Sequence, residues 1–154
     1  MIKTPDNAIR ILNELIPICR DSEQGFQLAA MDVTEPDLAR LFAEYSAQRA
    51  KFVGELEQRV RVLRGEPIRG GNPLSAVHRG WMDLKAALAA NEIHSVLAEC
   101  ERGEDMALKV YKTALAEKDV DDETLRLIQS QYEAVQAAHD RVRQLRDSAN
   151  YAHR

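Results

Sequence analysis

Four polar residues occupy the middle of four long apolar stripes in this chain. Glu23 interrupts the series Leu12, Ile16, Cys19, Phe26 and Ala30. Arg49 interrupts Leu38, Phe42, Tyr45, Phe52 and Leu56. Glu104 falls within Leu97, Cys100, Leu108, Tyr111 and Leu115, and His139 within Ile128, Tyr132, Val135, Val142 and Leu145. Each polar residue follows an apolar position by four and precedes another by three or four. That is helical spacing, so all four side chains are predicted to face an apolar interior. Two carboxylates, a guanidinium and an imidazole meeting there permit two chemistries. They form a charge-compensated structural network, or some of them hold a metal ion.

The elements that must position them are helices. The chain has 154 residues, 45% hydrophobic and 30% charged but only 5% aromatic. No segment alternates with period two for long enough to suggest a sheet, and the length suits one domain over residues 1–154 with its own core. Thr4-Pro5-Asp6 opens a first helix, with Thr4 as cap and proline at the first helical position, running to about Met31. Pro17 lies inside it and should bend it. Thr34-Glu35-Pro36-Asp37 starts a second helix, to about Leu63. The segment RGEPIRGGNPLS (64–75) breaks the pattern. Ser75 then caps a short segment containing Trp81, Asn91 caps a third long helix to about Glu117, and Asp121 or Asp122 caps a fourth to about Ser148.

Connection lengths predict the topology. Only a few residues join the first pair of long helices and the last pair, so each pair is an antiparallel hairpin. About two dozen residues separate the hairpins, enough to cross back along the bundle. The fold expected is an all-α four-helix bundle, its long crossover carrying a short extra helix. A faint internal repeat aligns CRDSEQGFQLAA (19–30) with CERGEDMALKVY (100–111), placing Cys19 with Cys100 and Glu23 with Glu104. By stripe position, Arg49 then corresponds to His139 and Ser46 to Gln136.

Composition excludes several function classes. The net charge of −4 is spread among interspersed acids and bases, which argues against nucleic-acid binding. No apolar run is long enough to span a membrane, and MIKTPDNAIR lacks the apolar segment of a signal peptide. The two cysteines lie on inward stripes without ligand spacing, so they are expected to be buried thiols in a reducing, cytoplasmic setting. No phosphate loop, nucleophile elbow or Ser/His/Asp arrangement is present.

The segments LNELIPICRDSEQGF (12–26), AVHRGWMDLKAAL (76–88), VLAECERGED (96–105) and QYEAVQAAHDRVRQLRD (131–147) resemble a family of bacterial ferritin-like four-helix-bundle proteins of unknown function. The likeness runs through nearly the whole chain, with Pro17 as a departure. It implies a ferritin-like fold, pairing of the bundle into a homodimer and an association with stress, but no established reaction. Ferritin-like metal proteins place one Glu on each of two helices and a Glu-x-x-His pair on each of the others. Here Glu23 and Glu104 fall on the single-Glu positions, while the paired positions read Ser46-Ala-Gln-Arg49 and Gln136-Ala-Ala-His139. Arginine has no lone pair and stays charged, so it is no ligand. The usual two-metal set is therefore broken.

Two readings remain. In the first, Glu23, Arg49, Glu104 and His139 form a metal-free buried network in a non-catalytic bundle, with no cofactor and with its protein partner unspecified. In the alternative, Glu23, Glu104 and His139, with Gln136 as a weak fourth donor, hold one Fe or Mn ion in a metal-binding or redox protein. Arg49 occupying the space of a metal favours the network. Glu99 and Glu101 are expected on the helix surface, His78 and Trp81 in packing on the crossover, and His94 and His153 in solvent.

Overall fold

The computed structural model describes residues 5–70, 81, 83–148 and 151, all helix, turn or loop. Thr4, Ser75, His78 and His153 lie outside those residues. The helices are α1 (Asp6–Asp32), α2 (Pro36–Val62), α3 (Leu84–Ala89), α4 (Ile93–Leu115) and α5 (Asp122–Asp147).

Helix boundaries follow local chemistry. Pro36 starts α2 at a position where the missing N–H has no intrahelical partner. Helix α1 runs unbroken through Pro17, whose ring is only half-buried. Asn91 does not cap α4 as expected. At φ 55° it closes the end of α3 instead, where its N–H donates to Leu88 O (3.1 Å) and that of Glu92 to Ala87 O (3.3 Å). Asparagine tolerates the left-handed conformation such a closure needs, and Glu92 becomes the cap residue of α4.

Cross-chain contacts fix the helix directions. Phe26 stacks on Phe42 and Arg20 pairs with Glu57, so α1 and α2 are antiparallel. Arg10 pairs with Glu117, while Cys19 meets Tyr111, so α1 and α4 are antiparallel. Tyr111 bonds to Gln131 and Glu101 to Arg146, so α4 and α5 are antiparallel too. The order is up, down, down, up, which requires the α2–α4 connection to travel the length of the bundle. Its first part does so along α1. Gly65 lies against Ile9, Asn13 bonds to Glu66 O and to the Ile68 N–H, and Arg20 donates to the carbonyls of Ile68 and Gly70.

Trp81 then enters a slot between α1 and α4. The slot exists because Gly25 and Gly103 carry no side chain: a Cβ on Gly103 would lie 2.2 Å from the indole, and one on Gly25 2.4 Å. The ring also meets Phe26 edge-on, with centroids 5.0 Å apart. Trp81 is thus a packing residue, as expected, and it closes the core over the middle of both helices.

Arg59 ties the end of α2 to the start of α5. Its guanidinium donates to Thr124 Oγ1 (3.0 Å), Asp121 Oδ2 (2.7 Å) and Glu123 Oε2 (3.0 Å). Asp121 in turn caps α5 by accepting from the Thr124 N–H at 3.0 Å. Burial raises the Asp121 pKa, but hydrogen bonds from Thr124 and Arg59 outweigh it and hold the carboxyl below its ordinary range. Its contribution is therefore present above the unfolded-state pKa of about 3.9 and lost as pH falls through the lower folded value. D121A should cost about 1–2 kcal/mol at neutral pH. In urea titrations the difference from wild type should persist to about pH 4 and vanish at lower pH; a difference insensitive to acid would contradict the cap.

Candidate functional site

The four polar residues singled out by spacing do not form one cluster. Arg49 and Glu104 meet in the bundle centre, 1% and 0% exposed. The pair is bidentate: Arg49 Nη1 donates to Glu104 Oε1 at 2.5 Å and Nη2 to Oε2 at 2.6 Å. The third guanidinium nitrogen, Nε, donates to Gln48 Oε1 at 3.2 Å, and the Arg49 Cζ lies 5.3 Å from the centroid of Phe26. Burial disfavours the Arg49 charge, yet the Glu104 charge and hydrogen bonds reverse that and raise its pKa. The Arg49 guanidinium thus stays charged, with its charge compensated by the carboxylate it holds bidentately.

Glu23 is not part of this pair. It is only half-buried, and the inward position of its turn belongs to Ser22, whose hydroxyl donates to Ile18 O at 3.1 Å. Adjacent helix positions differ by about 100°, so an apolar stripe alone cannot decide between neighbours at its edge. What α2 contacts here is the Glu23 backbone: Ser46 Oγ donates to its carbonyl at 2.9 Å. The internal repeat therefore fails functionally where it matters: among the described residues, Glu104 receives an arginine and Glu23 does not.

His139 is buried as predicted but faces elsewhere, between α4 and α5. Its Nε2 lies 2.7 Å from Asp105 Oδ1 and 3.7 Å from Glu101 Oε1, while its Nδ1 is 3.0 Å from Asp140 Oδ1. Gln136 does not turn toward Glu104; its Nε2 donates to the same Asp140 oxygen at 3.0 Å. The set Glu23, Glu104, His139 and Gln136 is therefore not a ligand set in this structure. Glu104 is engaged through both oxygens, and the others lie around different partners.

Glu99 and Glu101, expected on the surface, are instead mostly buried, with side chains 14% and 12% exposed. The wide contact of α4 with α5 and α3 covers the edges of its apolar stripe. Glu101 Oε2 accepts from Arg146, and Glu99 pairs with Arg102 at 3.3 Å. His94 is half-buried in the first turn of α4.

A third polar chain runs through the core beside the central pair. Cys19 Sγ donates to Tyr111 Oη (3.0 Å), Tyr111 to Gln131 Oε1 (2.8 Å), and Gln131 Nε2 to Glu55 Oε1 (3.1 Å). Burial pushes the Cys19 thiol up to about 11 and also raises Cys100 well above its ordinary value. Both cysteines are free and buried, so burial keeps them as neutral thiols rather than thiolate nucleophiles at neutral pH.

Fold and site together define an all-α bundle with a buried arginine–carboxylate pair at its centre, in which no described helix is long and apolar enough to cross a membrane. A family model described as Domain of unknown function (DUF2383) matches residues 7–117, and the chain belongs to that family. The matched residues take in α1 to α4, with the Arg49–Glu104 pair; α5 and His139 lie beyond them. Among curated proteins none matches the chain.

Proposed function

We propose that this protein is a ferritin-like bundle that works as a structural or interaction protein rather than as a two-metal oxygen-activating enzyme. The observation that carries the reading is the bidentate Arg49–Glu104 pair. A bundle-centre metal site needs carboxylates free to bridge cations, and here Glu104 spends both oxygens on a group that cannot leave its charge or serve as a ligand. The positive charge of the guanidinium also repels a divalent ion from the same space. The up-down-down-up order with one long crossover supports the ferritin-like part of the reading, since that is the connection separating such bundles from simple up-and-down ones. Any action on another molecule then falls to the surface.

Anaerobic Fe(II) loading followed by oxygen tests this. The expected result is no cation bound through Glu104, and no two-iron chromophore as oxygen enters. Uptake of two iron ions per chain, abolished by E104Q, would overturn the proposal.

A further inference from the structure

Away from the bundle centre, Glu101, Asp105 and His139 bring one ligand atom each to a common point, all within 4.8 Å of one another. The local sequence builds half of this. Glu101 and Asp105 are four apart on α4, so their carboxylates share one face a turn apart. His139 meets them from α5. Its Nε2 stands 2.7 Å from Asp105 Oδ1 and 3.7 Å from Glu101 Oε1. Bond lengths of about 2.1 Å to a shared ion would set neighbouring ligand atoms about 3.0–3.4 Å apart, which these separations bracket.

The imidazole gives the second, independent observation. His139 is 7% exposed, and its Nε2 is fully buried without a hydrogen-bond partner. Asp105 is close enough to pair with it, but lies off the direction in which an Nε2–H would donate. The opposite nitrogen is already committed. Nδ1 donates to Asp140 Oδ1, which Gln136 also holds in place. With Nδ1 as the donor, the lone pair of the neutral tautomer sits on the buried Nε2, beside two carboxylates. That arrangement is repulsive without a cation, and it matches the carboxylate–histidine–metal relay in which an outer acid fixes the tautomer.

We infer that Glu101, Asp105 and His139 form a mononuclear site for a divalent first-row transition cation, with Asp140 orienting the histidine. Glu101 offers Oε1 while Arg146 holds its Oε2, which leaves it one ligand oxygen and a fixed rotamer. The Asp105 side chain is 48% exposed, so solvent reaches the ion and water completes the coordination. One imidazole and two carboxylates suit Mn(II), Fe(II) or Zn(II). The site is separate from the Arg49–Glu104 pair and does not depend on the structural role given to it.

Zn(II) titration of the chelator-treated full chain by calorimetry, with Mn(II) followed by electron paramagnetic resonance, tests the assignment. One equivalent of Zn(II) or Mn(II) should bind and raise the melting temperature. H139Q and D105N should each weaken binding by about 100-fold, at least as much as loss of an outer-shell partner does. D105N alters a half-exposed side chain and keeps its shape, so it reports on binding even if H139Q folds poorly. E23Q and the H94Q/H153Q double variant should leave the affinity unchanged. Zinc should also move the His139 Nε2 resonance and leave its Nδ1 protonated. Absence of saturable one-equivalent binding overturns the inference, as does binding indifferent to D105N or carried by His94, His153 or Glu23.

Discussion

R49M should destabilise the protein by about 3–5 kcal/mol, the cost of stranding one partner of a buried ion pair. Methionine keeps much of the stem volume but removes two charge-assisted hydrogen bonds from Glu104, which is 0% exposed and cannot turn to water. Among the described residues no other cation pairs with that carboxylate. Glu104 must then either stay charged without compensation or take up a proton. Either outcome costs stability, which urea unfolding at neutral pH reads directly. The R49M/E104L double variant removes both charges and should recover most of the loss, since apolar replacement of a buried pair is often neutral or stabilising. An unchanged unfolding midpoint in R49M would sink the account of the bundle centre, and failure of the double variant to recover would show that the pair does more than compensate charge.

The second large effect is expected at Trp81. W81A should cost about 3–5 kcal/mol, because the surrounding helices cannot collapse into the space left by the ring. The slot walls are backbone at Gly25 and Gly103, held by the α1–α4 packing, and the floor is Phe26. The converse change makes the same point. G103A would place a methyl 2.2 Å from the indole, so the ring must leave its seat, at about 1–3 kcal/mol. The chain has one tryptophan, so its fluorescence reports that seat directly. G103A should shift the emission to the red as the ring becomes wetter, while the far-ultraviolet circular dichroism stays helical. Wild-type emission in G103A, or a W81A midpoint equal to wild type, would refute the packing role. Phe26 links the two predictions, since it touches both the indole and the Arg49 guanidinium.

Much of the architecture was legible before any coordinates. Pro36 and Asp121 mark helix starts where they were expected, and the short and long connections imply the order of the hairpins. Apolar periodicity correctly turned Arg49, Glu104 and His139 inward. It misjudged Glu23, which lies one position from the true centre of its stripe at Ser22, and it put Glu101 outside the helix contact that covers it. The apolar stripes did not single out Asp105. Its spacing from Glu101 was visible, but nothing in α4 alone indicates that a histidine from α5 will arrive at that level.

The sequence by itself determined the helices, their approximate ends and the buried face of each, because those depend on interactions within a few residues along the chain. The tertiary structure alone decided who meets whom. Axial register between helices is set by packing across the interface, by the Trp81 seat on two glycines and by the Arg59 tie to α5. That register gave Arg49 wholly to Glu104 and turned His139 toward Asp105. One step along a helix moves a side chain by about 1.5 Å and 100°, which is enough to exchange one set of partners for another.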